Sequence, residues 1–505
     1  MLCNYSAPSE QYAKMIAVTP SLPNLSDLSH AQKDELIVAL FAQHQSLMAQ
    51  QAVLVRRITE LEGRLKLNSR NSSKPPSSDA LSKPAPKSLR LSGERANGGQ
   101  KGHSGNTLRQ SARIDQTICH QAPTQCSVCR LPMQTHEVIE TRQVFELPEL
   151  RVRVIAHQRI RSTCACGAAC AGAWPPGVNA PAQYGASVKA MAVNLNQYHL
   201  VPLARTSALM ADLYGLNLSQ ASIQSFAQDA ARALQETVAA IGQAVQAAPV
   251  VHADETGIRL KGRLHWLHCA VTSMLTWLAP HPKRGAVAFE ALGLLQGIKG
   301  TLIHDGLISY KALACTHGLC NAHHLRELVY VHEQENEKLW DSWAQEMGQL
   351  LVQGLREVDQ AGGPLSAPRQ AWFAGQWTGL LERGEALNPP TRRTGTSQDA
   401  AMGARGRPRQ TKATNLLKRL RDYRSDVWRF MTDEGVPFTN NLAEQALRMS
   451  KVKQKISGCF RTEHGADTFF TIRSYLATMS KQKANLFDCL ISVFERQPIQ
   501  PRFAG

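Results

Sequence analysis

Two short, apolar runs in this chain each end in an aspartate: VVHADETG carries Asp254, and TLIHDG carries Asp305. A buried strand offers no favourable place for a carboxylate, so an acid closing such a run constrains everything packed around it. A third acid, Glu444, opens a helical pattern in TNNLAEQALR. Carboxylates about 4 Å apart at an effective dielectric near 20 repel by about 4 kcal/mol per pair. If the three converge, each lifts the pKa of the others unless a cation offsets the charge. Magnesium does so with carboxylate and phosphate oxygens, which points to nucleic acid as the substrate class. Taken one at a time, the three acids are more simply read as unrelated residues at strand ends and on a helix surface. The surrounding sequence decides for the nest.

From about residue 248 the texture is that of strands. APVVHADETG, LHWLHCAV and MLTWLAP read as three consecutive strands, and AVAFEALGLLQ as a helix. TLIHDGL is a fourth strand, and GLCNAHHLRELVYV is a strand running into a helix. The order β-β-β-α-β-α is that of the ribonuclease-H-like fold, in which the first and fourth strands are neighbours and the two aspartates meet. Residues 248–330 are expected to form the first part of this core, and 331–435 an all-helical insertion. Residues 436–475 carry the glutamate helix that completes the core, and 476–505 a helical tail. Within the insertion, GARGRPRQ is a basic break whose Arg405, Arg407 and Arg409 suit phosphates, and KATNLLKRLRDYRSDVWRFM reads as one basic amphipathic helix.

The N-terminal half is built differently. Over residues 34–67, Leu40, Leu47, Leu54 and Leu61 share one heptad position. Ile37, Ile58 and Leu65 share the other, interrupted by His44 and Gln51. This is a leucine-zipper pattern and predicts a coiled coil, because the stretch that follows offers the helix nothing to pack on. Residues 68–114, with NSSKPPSSD, SKPAPKS and ANGGQKGHSG, read as a flexible basic linker. Residues 115–172 combine alternating runs such as RVRVIAHQRI with cysteine pairs, Cys126 and Cys129 in a CxxC and Cys164 and Cys166 in CACGAAC. Four thiolates around zinc would replace a core too small to fold alone, a zinc ribbon; the second pair is ambiguous because Cys170 follows. Residues 180–240 read as helices around a Gly215 turn, with Ser219 capping the second, a helix-turn-helix-like spacing.

Composition agrees with a polyanion as partner. Lys and Arg number 57 against 40 Asp and Glu, a net charge of +17 and a pI near 9.5. The apolar runs are too short to span a membrane, and MLCNYSAPSEQYAK lacks the pattern of a secretory signal. A cytoplasmic protein is the expectation, with its cysteines as thiols or metal ligands.

The strings NSSKPPSSD, GGQKGHSG, HADET, HDG, CNAHHLREL and TNNLAEQALRMSKVKQKISGCFRTEHGA, in this order behind the leucine-rich helix, resemble a transposase of the insertion sequence 66 family nearly end to end. The resemblance implies a multidomain DDE-type enzyme with a ribonuclease-H-like core. Its acidic triad would be Asp254, Asp305 and Glu444, holding two magnesium or manganese ions, with Cys320 and His323 as the CxxH element after the second aspartate. Asn441 and Arg448, one turn either side of Glu444, are supporting residues, and Lys451, Lys453 and Lys455 extend a basic track along DNA. The partners implied are the element's ends and the target DNA, a second copy joined through the coil, and accessory proteins encoded by the same element. The place of action implied is the bacterial nucleoid. Two rival readings stay in view: a non-catalytic DNA-binding regulator, which has no use for three converging acids, and a ribonuclease-H-like nuclease, which needs neither zipper nor ribbon.

Overall fold

The computed structural model describes residues 26, 29–65, 67–68, 71–72, 108–120, 123–132, 137–147, 150–335, 342–390 and 410–503. They divide into two compact units, Met1–Lys83 and Pro84–Gly505.

The described part of the first unit is essentially one helix, α1 (His30–Leu65). Its start is closed reciprocally. The Ser29 N–H donates to Gln32 Oε1 at 3.0 Å, and the Gln32 N–H donates to the Ser29 hydroxyl at 3.3 Å, a capping box. Leu40, Leu47 and Leu54 are 53, 55 and 62% exposed, so nothing among the described residues covers the heptad stripe. The linker expected at 68–114 lies almost wholly outside the described residues.

In the second unit the cysteine-bearing segment is held by one small hairpin. Strand β1 (Arg161–Thr163) pairs antiparallel with β2 (Ala169–Ala171). Here the structure corrects the sequence reading. RVRVIAHQRI is not a paired strand up to Ile160, and Val154 and Ile160 stay 90 and 67% exposed. Alternation makes a strand only where a neighbour supplies a ladder of hydrogen bonds, and the ladder here begins at Ile160, whose carbonyl accepts the Gly172 N–H at 3.0 Å.

Helices α2 (Ala186–Val193), α3 (Leu203–Tyr214), α4 (Gln220–Ala233) and α5 (Gln235–Ala247) follow. Gly215 ends α3 in the left-handed conformation, φ 67°, and the Ser219 hydroxyl accepts the Ser222 N–H at the start of α4. Ile223, Phe226 and Ala230 of α4 pack on α13 (Glu463–Lys481) and α14 (Leu486–Phe494), through Ile472, Tyr475, Leu490 and Val493. The domain boundary expected at residue 475 therefore falls inside a helix, and the C-terminal residues share a core with residues 186–234.

The central sheet has five strands: β3 (Val250–Leu260), β4 (Arg263–Val271), β5 (Thr276–His281), β6 (Thr301–His304) and β7 (Thr316–Leu319). Their order is β5-β4-β3-β6-β7, antiparallel on the β5-β4-β3 side and parallel from β3 through β6 to β7. Lys261 and Gly262, with φ of 50° and 74°, form the two-residue turn between β3 and β4, whose twist suits paired strands. A short helix, α6 (Ala286–Leu292), leads from β5 toward β6.

After β7 come α7 (Asn321–Glu335), α8 (Trp343–Ala361), α9 (Ala367–Leu387), α10 (Lys412–Asp422) and α11 (Arg424–Thr432). They surround Trp343, Phe373, Trp377 and Leu416, and reach the sheet at Ile303 and Leu319. The single basic helix read over KATNLLKRLRDYRSDVWRFM is broken at Tyr423, where φ and ψ are −118° and 30°. Much of its charge is paired internally: Arg419 with Glu327, Arg421 with Glu385, and Lys418 with Asp422. Helix α12 (Asn441–Ser457) then lies over β3 and β4, burying Ala443 and Leu447 against Ile258, Leu267 and Cys269.

Candidate active site

Asp254 sits in the middle of β3, opposite Cys269 of β4, so the strand does not stop at the acid but continues to Leu260. Asp305 follows the last residue of β6, the parallel neighbour of β3. There Gly306 adopts φ 93°, a conformation costly for other residues, and Asp305 Oδ1 accepts the Leu307 N–H at 2.9 Å. Glu444 lies in the first turn of α12.

Asn440, immediately before α12 and 1% exposed, fastens that helix to the sheet. Its Nδ2 donates to the Ala253 carbonyl at 2.8 Å, its Oδ1 lies 3.0 Å from His252 Nδ1, and its backbone N–H donates to Cys320 Sγ at 3.2 Å. The side chain makes no capping bond to its own helix. Burial holds His252 down at about 4, hence neutral near pH 7.

The acidic residues fall into two neighbouring groups. Carboxylate oxygens of Asp254, Glu255 and Asp305 lie within 4.8 Å of one another, and so do ligand atoms of Cys320, His323 and Glu444. Asp254 is pushed up to about 8, first by burial, then by the charges of Glu255 and Asp305, and less by Glu444. The three acids singled out in the sequence are thus in electrostatic reach, but Glu444 is gathered with Cys320 and His323 rather than with the aspartates. Its Oε1 is buried without a hydrogen-bond partner, as is Nδ1 of His323.

Glu255 was not visible from the sequence as part of this group, because strand alternation directs it away from Asp254. Arg284 pairs with its Oε1 at 2.6 Å and the Tyr310 hydroxyl donates to its Oε2. Burial raises Glu255, and these two contacts offset part of the rise. Both partners come from other elements, so only the doublet of acids in HADET could have signalled it.

The remaining residues are scattered. Asn441 and Arg448 are exposed on α12, and Lys455 is exposed near its end. Lys451 donates to the Gly257 carbonyl, and Lys453 lies 5.8 Å from the Phe469 ring centre. Arg405, Arg407 and Arg409 lie outside the described residues. Cys126 and Cys129 share one tight turn, with Arg130 at φ 61°, and Cys164 and Cys166 another, with Gly167 at φ 87°. Cys126 is held below the usual thiol range by the Cys129 backbone N–H, and Cys164 by that of Cys166. No three of these thiols gather within 4.8 Å among the described residues.

The profile of the transposase IS66 family matches residues 181–468, more than half of the chain and all of the sheet with its acids. The chain belongs to the transposase IS66 family. A family of unknown function, designated DUF6444, matches residues 20–109 of the chain, the span that holds α1. No curated protein gives a significant match. A solved structure described as a cryo-electron microscopy structure of the simian T-cell lymphotropic virus intasome in complex with PP2A regulatory subunit B56 gamma is similar over 21% of this chain at 17% identity, with a TM-score of 0.13. The present chain spans about half (48%) of the length of that chain. No helix among its described residues is long and apolar enough to cross a membrane.

Proposed function

We propose that this transposase binds the ends of an insertion sequence and cuts and joins DNA strands by DDE chemistry, with Asp254, Asp305 and Glu444 as its acidic triad. The observation that carries the proposal is the meeting of Asp254 and Asp305 on adjacent parallel strands, under a helix that brings Glu444 into range of the same buried carboxylate. The sheet order supports a ribonuclease-H-like core over 248–330 and 436–475, with the helices between them as an insertion.

The donors suit hard divalent cations. Carboxylate oxygens whose burial, with the repulsion of Glu255 and Asp305, holds Asp254 near 8, and an orphaned Glu444 Oε1, are what magnesium or manganese would satisfy. Two such ions would supply a more acidic attacking water or 3′-hydroxyl and a counter-charge for the departing oxygen. The protein's own part is positional. Asn440 and Cys320 fix the start of α12, and Arg284 with Tyr310 immobilises Glu255 beside the aspartates. Arg448 and Lys455 reach solvent and are the phosphate contacts of choice, and Asn441, exposed at the start of α12, is a further polar contact.

The same reading assigns DNA-end recognition to the helices around Gly215 and to the two cysteine turns, drawn together by zinc, and assembly of a homo-oligomer to α1. It places the enzyme on DNA in the bacterial cytoplasm, with target DNA and accessory proteins of the same element as further partners. The test is cleavage of element-end DNA in magnesium by Asp254→Asn, Asp305→Asn and Glu444→Gln. Each is expected to abolish cutting and to leave DNA affinity within a few-fold, because phosphate contacts come from Lys and Arg elsewhere. Cutting that survives any one change removes that residue from the set.

A further inference from the structure

We propose that His304 and His317 are positioning residues for Asp305: hydrogen-bonded to each other, they fasten the loop that carries this acid to strand β7. The inference rests on the reading of Asp305 as a metal ligand and deepens it, because it names what holds the ligand in place. Asp305 opens the connection between β6, which ends at His304, and β7, which begins at Thr316. An acid at the head of a loop is placed only as accurately as the loop itself.

One backbone donor fixes the direction of every bond in the pair. The Gly306 N–H donates to His304 Nδ1 at 3.1 Å, so that nitrogen carries no proton and the ring hydrogen sits on Nε2. Nε2 faces His317 Nδ1 at 3.2 Å, which therefore accepts. The hydrogen of His317 is then on its own Nε2, donated to the Leu313 carbonyl at 3.1 Å. The chain Gly306 to His304 to His317 to Leu313 thus ties the start of the loop to its end, through two rings whose tautomers it sets. His304 is fully buried, so its nitrogens depend on these partners. Its ring also lies 4.9 Å from that of Tyr310, which stacks on Phe289 and donates its hydroxyl to Glu255. The same staple therefore reaches the acid beside Asp254. Behind it, Arg429 Nε donates to the His317 carbonyl at 3.2 Å and holds β7 to α11. A buried polar network in which every member is satisfied selects one conformation, here the one that Gly306 adopts at φ 93° next to the acid.

The test uses the full chain and variants of His317, which touches none of the acids. His317→Phe keeps a ring and removes both nitrogens; His317→Leu replaces it if the phenylalanine variant fails to fold. His317→Asn keeps an acceptor where Nδ1 stood and is the conservative control. In chelator, hydrogen exchange of the peptide spanning 305–313 should quicken about tenfold in His317→Phe, and stay within about threefold of wild type in His317→Asn. Manganese(II) binding without DNA, followed by the electron paramagnetic resonance of the free ion, should weaken about tenfold in His317→Phe at the site that Asp305→Asn removes. Cutting of element-end DNA should need correspondingly more magnesium and reach a similar maximal rate, the split expected of a residue that places a ligand and takes no part in the chemistry. Unchanged exchange of the 305–313 peptide in His317→Phe, or manganese affinity equal to wild type, overturns the proposal. Undiminished manganese binding in Asp305→Asn overturns instead the reading of the triad on which it rests.

Discussion

Asp254→Asn tests the electrostatics of the site without any DNA. In the unfolded chain this carboxyl titrates near 3.8, and in the fold near 8. A group whose folded pKa is raised binds its proton more tightly in the fold. Its stabilising share is complete at low pH, declines by about 1.4 kcal/mol per pH unit above the unfolded pKa, and levels off above the folded one. Between about pH 5.5 and 7.5 wild type should therefore lose roughly 2.7 kcal/mol relative to Asp254→Asn, whose amide does not titrate. The asparagine Oδ1 can still accept the Glu255 N–H that Asp254 accepts at 2.8 Å, which limits geometric disturbance. The assay is thermal unfolding of both proteins across this range with a chelator present. A change in the difference between their Tm values of about 3 °C is expected for a unit as large as Pro84–Gly505. Saturating magnesium, by favouring the ionised form, should flatten the wild-type curve. Parallel pH curves for the two proteins in chelator would refute a buried, mutually repelling carboxylate at this position.

The remaining predictions concern what holds the site and joins the copies. Asn440→Ala strips partners from the Ala253 carbonyl and His252 Nδ1 and should cost about 3 kcal/mol in chemical denaturation; an effect below about 1 kcal/mol would mean that Asn440 does not anchor α12. Glu255→Gln should lower the rate of magnesium-dependent cutting and leave DNA binding unaltered, since it weakens the hold of Arg284 beside the aspartates; an unchanged rate would place Glu255 outside the chemistry. Leu47→Gln combined with Leu54→Gln should convert an oligomer to monomers in sedimentation, because those side chains are exposed along α1; an unchanged mass would exclude the helix as the assembly surface.

Much of this architecture follows from short-range rules. Period-two patterning and turn residues such as Lys261 and Gly262 define strands wherever a partner lies close in sequence, and the heptads of α1 and the serine cap of α4 are equally local. Where a pattern depends on a distant partner, it misled: RVRVIAHQRI alternates but the strand begins only at Arg161, and the helix read across Tyr423 is two. The sequence alone determined that the two aspartates belong to strands able to lie side by side, since the order of elements limits how a parallel pair can connect. It could not determine the company each acid keeps. Glu255 joins the aspartates because Arg284 and Tyr310, from other elements, hold its carboxylate. Glu444 stands with Cys320 and His323 because Asn440 ties the start of α12 to both β3 and the residue after β7. These are meetings of side chains far apart in the chain, and the free energy that decides them, the burial and mutual repulsion of charge, exists only once the tertiary structure has formed.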